Sequence, residues 1–521
     1  MGNDMDQFVN LSITEMPALR KFRSIGNFAL SALTAALLLG CTSSSHQVAM
    51  PEIVGTSASF RHAEPTPNLS PGFDATWWQF FADPALAELV ARALANNHDV
   101  RIAVQRVAQA RAGSTAAASR LAPTVAISGS ASDQRTTLGE EFKRGTPDTR
   151  AYRAALDLGW EIDVFGAARA GANAAELDAL AAQAGVQATR LAVASEMARQ
   201  VTLHRSAQLR LHKLKALHAS YIKTESITRR QQTEGVVSQL DVARAAGDTR
   251  ALSANIPQLE MLVATTEHQI AVLLGQNPGN PVAELHRGAE VTLPTVPALQ
   301  PGQPADLLLR RPDILAAEKQ WLAEGARLRE AQADTWPKLF VSGVLGGEDL
   351  SLNLLNTGPA RYSSLALAFS MPLFNAGRLQ ANVERQTARE RAATLQWEQS
   401  TLKALQDVEN SLVSLSKERV RNVALQAMLD QRGLALQRVQ SLAREGQIGQ
   451  LPVQEAHRGL MSAELAVLES RTDLALSGIQ LYRALGGGWE VQTGAPQQPS
   501  QAIPNTPNTT TTSALTQGQP R

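Results

Sequence analysis

Few side chains in this sequence have the type and spacing to do chemistry. The only cysteine among the 521 residues, Cys41, closes the tetrapeptide Leu38-Leu39-Gly40-Cys41. A cysteine is often a small core hydrophobe, but this one lies in a processing segment. It ends an apolar run from Ile25 to Leu39 that follows Arg20, Lys21 and Arg23. Basic start, apolar middle and small residue before the cut form a secretory signal. The run is shorter than the roughly 20 residues of a membrane-spanning helix, so a permanent helical anchor is not expected. Met16 begins a more typical signal than Met1.

No second chemical constellation accompanies Cys41. The nine histidines are scattered, and His204, His212 and His218 lack the four-residue spacing of a helical zinc pair. There is no phosphate-binding glycine loop with a lysine and no nucleophile-elbow serine. Gly486-Gly487-Gly488 lies past the last expected helix and reads as a stop, not as a phosphate cradle. One cysteine allows no intramolecular disulfide, so stability must come from packing or assembly. The 49 basic and 48 acidic residues balance to a net charge of +1, which gives no support for nucleic-acid binding. The expectation is a protein that is not an enzyme and uses neither metal nor cofactor.

The elements around these residues come in two copies, with a period near 211 residues. Asp99, Pro123, Ser128 and Gly129 recur as Asp313, Pro337, Ser342 and Gly343. Leu156, Phe165, Arg169, Ala172 and Asn173 recur as Leu365, Phe374, Arg378, Ala381 and Asn382. Glu234-Gly235, Gln239-Leu240 and Leu274-Gly275 recur as Glu445-Gly446, Gln450-Leu451 and Leu485-Gly486. Each copy reads helix, strand, strand, long helix, helix. The first helices are expected from about Pro84 to Leu121 and from about Pro304 to Trp336, each ending before a proline.

The strand segments alternate. Tyr152, Ala154, Leu156, Leu158, Trp160, Ile162 and Val164 form one row, and Leu365, Leu367, Phe369, Met371 and Leu373 form its counterpart. Val125-to-Gly129 and Leu339-to-Leu345 are weaker partners. Alternation gives each strand one apolar and one polar face, as in a soluble sandwich or a membrane barrel. Four strands cannot close a barrel alone, and open edges in lipid would leave backbone groups unpaired. If these strands span a membrane, several chains must share one barrel.

Residues 169–234 and 378–445 contain no proline, and each could extend roughly 100 Å as a helix. Leu402, Leu405, Leu412 and Leu415 follow heptad spacing, as do Leu191, Ala194, Ala198 and Val201. With small residues such as Ala192, Ala194 and Ala198, this points to close coiled-coil packing, although any one stripe would suit an ordinary helical bundle. Gly235 and Gly446 stand where the long helices must turn, and glycine permits the left-handed geometry of such a turn.

Several stretches resemble known families. Leu38-Leu39-Gly40-Cys41 resembles the lipobox of bacterial lipoproteins, which implies cleavage before Cys41 and acylation of it. Trp77-Trp78-Gln79-Phe80-Phe81-Ala82-Asp83-Pro84, Asn97-His98-Asp99-Val100 and Trp160-Glu161-Ile162-Asp163-Val164-Phe165-Gly166 resemble the outer-membrane factor (TolC-like) family of tripartite efflux systems, in its NodT-type lipoprotein branch. So do Asp306-to-Ile314 and Pro372-Leu373-Phe374-Asn375-Ala376-Gly377-Arg378 in the second copy. The resemblance implies a mainly α fold with a small β part: a coiled-coil helical tunnel plus four membrane strands per chain, 12 strands in a homotrimer. It implies a signal peptide over 1–40, a lipidated linker over 41–75, repeats over 76–284 and 304–489 joined by a linker over 285–303, and a tail over 490–521, which composition also reads as disordered.

The function implied is a passive outer-membrane exit duct for small toxic compounds. Its implied partners are a periplasmic adaptor, an inner-membrane efflux transporter of the RND type and outer-membrane lipid. The adaptor would dock at tips formed by Gly235, Val236, Ser238 and Leu240 and by Gly446, Gln447, Gly449 and Leu451. Leu451 and Glu455 match the family's periplasmic gate, with Glu in place of the usual Asp and with Pro452 where some members carry another acid. Plain helix capping at the tips and a solvated Glu455 are the competing readings. A lipid-anchored coiled-coil scaffold without a pore, and a duct for type I protein secretion, are the alternatives for the whole chain.

Overall fold

The computed structural model describes residues 59–63, 77–81, 83–135, 137, 148–286, 292–293, 304, 310–352 and 355–487. The signal, the lipobox with Cys41, most of the 285–303 linker and the tail lie outside the described residues.

After a 3-10 turn at Trp77–Phe81, the first repeat contains α1 (Pro84–Asn96), α2 (His98–Ala118), β1 (Thr124–Gln134), β2 (Thr149–Ile162), α3 (Ala167–Thr233), α4 (Gln239–Ser253) and α5 (Ile256–Leu273). The second contains α6 (Pro312–Ala333), β3 (Lys338–Leu352), β4 (Leu355–Ser370), α7 (Arg378–Arg444) and α8 (Gln450–Ala484). The two long helices, α3 and α7, have 67 residues each, about 100 Å of helix.

Three details differ from the sequence-based expectation. The first helix is broken at Asn97, whose extended backbone (ψ 134°) and side-chain oxygen cap α2 through Asp99 N–H at 2.8 Å and Val100 N–H at 3.2 Å. A short carboxamide competing for backbone donors favours such a break. The counterpart breaks likewise: Arg310 is helical, residues 305–309 lie outside the described residues, and α6 begins at Pro312. Its preceding residue, Arg311, is extended (ψ 118°), as a residue before proline tends to be. The closing helix is split in the first repeat at Ala254–Asn255, with Pro257 at the start of α5, whereas α8 runs unbroken for 35 residues.

The register of the repeats also shifts within one loop. Both long helices start behind a left-handed glycine, Gly166 (φ 82°) and Gly377 (φ 81°). These caps align the helices at the 211-residue period, two residues out of step with the Phe165–Phe374 match. The Arg169, Ala172 and Asn173 matches to Arg378, Ala381 and Asn382 therefore sit two residues out of step in their helices.

The four strands form one antiparallel sheet in the order β1-β2-β3-β4. Two hydrophobic clusters hold the helices. One gathers Trp77, Phe81, Leu86, Met197, Ile270 and Tyr482; the other gathers Phe60, Ile314, Trp397, Val408, Leu412 and Leu481. Ala194, Ala198, Val201, Leu412 and Leu415 belong to these clusters, whereas Ala192 and Leu402 are exposed.

Candidate functional site

Three regions carry the geometry relevant to function: the sheet, the tips of the helical hairpins, and the start of α8. In the sheet, register places Val125, Leu158, Gly343 and Leu365 in one row, and Ile127, Leu156, Leu345 and Ser363 in the next. Since side chains alternate across a sheet, these rows define one apolar face. It is bare: Ile127 is 82% exposed and Leu365 80%. The opposite face carries Ser128, Asp157, Ser342 and Ser364, with Phe340 and Val344 as apolar exceptions. Arg153 and Glu348 pair across that face at 2.9 Å.

Both edges of the sheet, β1 and β4, lack a neighbouring strand among the described residues. Where the strands meet the helices, Phe165 and Trp336 stack with centroids 5.5 Å apart. Nearby, the Trp160 indole N–H donates to Leu121 O at 3.2 Å. Exposed aromatics there suit the interfacial level of a membrane. Among the described residues no helix is long and apolar enough to cross a membrane.

The tips have matching backbones and different caps. At the first, Gly235 is left-handed (φ 76°), and Val236 N–H reaches back to Gln231 O at 2.8 Å. At the second, Gly446 (φ 72°) and the Gln447 N–H to Leu442 O bond of 2.9 Å repeat the arrangement. Both are helix endings that need a residue tolerant of positive φ. Ser238 then starts α4 with a reciprocal capping box to Asp241. The Ser-x-x-Asp pattern is the local signal that would have marked this helix start. In the second tip Gly449 and Pro452 stand at those positions, and α8 starts with no side-chain cap. Gly235, Val236, Ser238 and Leu240 are exposed, as are Gly446, Gln447 and Gly449, while Leu451 is half-buried.

Leu451 and Glu455 are one turn apart in α8 and so lie on the same side of it. Glu455 is exposed. Neighbouring α8 side chains are pinned to α3: Ser220 Oγ donates to Gln454 Oε1 at 3.3 Å, and the Arg458 guanidinium lies 4.8 Å from the Tyr221 ring centroid. Farther up, Lys213 bonds Glu464 at 2.6 Å and Thr472 Oγ1 donates to Ser206 Oγ at 2.7 Å, an antiparallel ladder. On its other side α8 meets α7 through Arg421–Asp473 at 2.8 Å and Asn422–Ser470 at 3.3 Å. These cross-helix pairs were not legible in the sequence, because nothing local marks a partner some fifty or 250 residues away.

A family model described as outer membrane efflux protein matches residues 89–276 and 304–487. The solvent efflux pump outer membrane protein SrpC of Pseudomonas putida is 31% identical over 417 residues, spanning 79% of this chain and 87% of that protein. The probable outer membrane lipoprotein SilC of Salmonella typhimurium is 27% identical over 462 residues, spanning 88% of this chain and 98% of SilC. The solved outer-membrane channel OprN matches with a TM-score of 0.74 at 30% identity, covering 84% of this chain and 97% of OprN. The Campylobacter jejuni CmeC outer membrane channel shares the fold, with a TM-score of 0.76 at 21% identity over 85% of this chain and 94% of CmeC. With both repeats matched and the fold shared over most of the chain, the chain belongs to the outer membrane efflux protein family and serves as the outer-membrane duct of an efflux pump.

Proposed function

We propose that three copies of the chain close a 12-stranded barrel in the outer membrane and continue below it as a helical tunnel. The tunnel is a passive exit for small toxic compounds. The carrying observation is a four-stranded sheet with a bare apolar face and two unpaired edges. Backbone groups at such edges cannot remain unpaired in lipid, and pairing β1 of one copy with β4 of the next satisfies them. Two copies would give eight strands, whose interior side chains fill, so three copies with 12 strands are the smallest ring that leaves a passage.

In this reading the chain supplies no energy. An inner-membrane transporter of the RND type selects and drives the compound, and a periplasmic adaptor docks on the two tips through Gly235, Val236, Ser238 and Leu240 and through Gly446, Gln447, Gly449 and Leu451. Leu451 and Glu455 from three copies form an apolar ring and a carboxylate ring at the tunnel mouth. Like charges brought together resist closure unless a proton or cation intervenes. Cys41, behind Leu38-Leu39-Gly40, carries the acyl anchor. The relatives' names concern solvents, toluene, antibiotics and cations, which supports low-molecular-weight cargo.

Two measurements test this. A deletion strain should become sensitive to solvents or antibiotics and be rescued by the wild-type chain. Replacing Leu451 and Glu455 with serine should raise the conductance of reconstituted channels; unchanged conductance would refute the gate.

A further inference from the structure

The short segment 59–63 precedes the first repeat in sequence but docks on the second. Phe60 is 4% exposed and joins the buried cluster formed by Ile314 of α6, Trp397 and Val408 of α7, and Leu481 of α8. Beside it, the Arg61 backbone N–H donates to Glu409 Oε1 at 2.7 Å, and His62 Nδ1 lies 2.7 Å from Glu409 Oε2. Both oxygens of one α7 carboxylate are thus engaged by the strap. Burial works to raise the pKa of Glu409, but the bonds from His62 and the Arg61 backbone outweigh it and hold the group below its ordinary value.

The first repeat shows what this position looks like without a strap. At the 211-residue period, Glu409 of α7 corresponds to Ala198 of α3, which is fully buried in the first cluster. That cluster takes its aromatic filling from Trp77 and Phe81, immediately ahead of α1. In the second repeat Phe60 takes up that role, arriving from the far end of the chain. A carboxylate beside an apolar cluster is costly unless donors meet it, and the strap brings them.

We propose that Phe60 and Glu409 form an intramolecular latch. The junction of α6, α7 and α8 is a docking surface whose partner is the chain's own 59–63 segment, which among the described residues is the first part of the chain after Cys41 held on the repeats. An extended chain spans at most about 3.5 Å per residue. Latched, the stretch from Cys41 to Phe60 reaches about 65 Å. Unlatched, the next described residue held in a hydrophobic cluster is Trp77, and the chain length from Cys41 to it is at most about 125 Å. The latch therefore about halves the upper limit on chain length between an anchored Cys41 and the first held residue of the repeats. That consequence rests on reading Cys41 as the acyl anchor; the latch itself does not.

Arg61 makes the latch testable, because trypsin cuts after arginine and the strap holds that backbone. The full-length chain, purified in detergent, is exposed to trypsin, and release of the N-terminal peptide ending at Arg61 is timed by mass spectrometry. The wild type should resist. Phe60→Ala and Glu409→Ala, the latter installing the residue of the first repeat, should each speed the cut about tenfold, with helical circular dichroism unchanged. Wild-type rates in both well-folded variants would overturn the latch. Cys41→Ser should keep the protection, and its loss there would also overturn the latch as drawn. The mass of the released wild-type peptide reports acylation separately: an unacylated Cys41 removes the tether consequence and leaves the latch standing.

Discussion

Asn97 and Arg311 occupy equivalent places in the two repeats and each closes its repeat onto the same point. The Asn97 carboxamide donates to Leu273 O at 3.1 Å, and the Arg311 guanidinium donates to Ala484 O at 3.0 Å, each carbonyl lying at the end of its repeat's last helix. The glycines just beyond sit tightly against the same turns. A Cβ on Gly275 would lie 2.8 Å from Asn96 O, and one on Gly486 would lie 3.2 Å from Arg310 O. One closure has been kept with two chemistries. Arg311 adds ion pairs to Asp313 at 2.7 Å and Asp407 at 3.3 Å.

The two closures should therefore fail unequally. Asn97→Ala removes a cap and one tertiary bond and should cost about 1–2 kcal/mol. Arg311→Ala removes a mostly buried guanidinium and its bonds to two half-exposed aspartates and a carbonyl and should cost about 2–3 kcal/mol. Arg311→Asn should fall between them. Thermal melting followed by helical circular dichroism ranks the three, and equal losses would remove the distinction.

The two faces of the sheet should tolerate charge differently. Leu365→Arg places a cation on the apolar face and should cost roughly 2–4 kcal/mol at mid-membrane depth. Ser364→Arg, one residue away on the opposite face, should insert normally. The amount of each variant in the outer-membrane fraction measures this. Equal insertion would mean that the apolar face does not meet lipid.

The long helices were legible because 169–234 and 378–445 lack proline, and they appear as Ala167–Thr233 and Arg378–Arg444. The strands were legible from alternation, although β3 and β4 extend well past Leu345 and before Leu365 toward their hairpin, and Val164, Met371 and Leu373 fall beyond the strand ends. The helix break at Asn97 was not legible, because a break made by one side chain leaves the hydrophobic period intact. Pro257 was visible, but a proline in the first turn of a helix and one that breaks a helix look alike until the neighbouring carbonyls are known. At the site, the left-handed turns at Gly235 and Gly446 followed from residue type. The strap at Phe60 and the ladder between α3 and α8 did not, since such pairs are set by tertiary packing.

The unequal caps at the tips give opposite expectations for two substitutions. Ser238→Ala breaks the capping box and should cost about 1 kcal/mol of local stability, read as faster amide exchange in the first turn of α4. Gly449→Ser supplies an acceptor that α8 lacks, and the Leu451 amide should exchange more slowly. If both tips exchange as in the wild type, side-chain capping does not govern their order.

His204 is fully buried on α3, with Nδ1 3.0 Å from Thr266 Oγ1. Burial pushes its pKa down, Glu267 and the Val263 carbonyl oppose that, and His286 and Arg205 add to it. A base with a lowered folded pKa stabilises the fold above its unfolded value, and that stability is lost as pH falls below about 6.5. His204→Leu, which installs the Leu415 of the second repeat, should flatten this part of the pH dependence. Melting temperatures at pH 7.5 and 5.5 should differ less in the variant than in the wild type; an identical difference would assign the acid sensitivity elsewhere.

The most direct test of the shared barrel is a cross-link between strand edges. In a chain with Cys41 replaced, one cysteine at Ser128 of β1 is combined in turn with one at each position from Arg361 to Ala368 of β4, and the membranes are oxidised. A register that pairs neighbouring copies should yield a covalent ladder that stops at three chains. A ladder that stops at two, one that runs beyond three, or no cross-link at any β4 position would contradict a barrel closed by three copies.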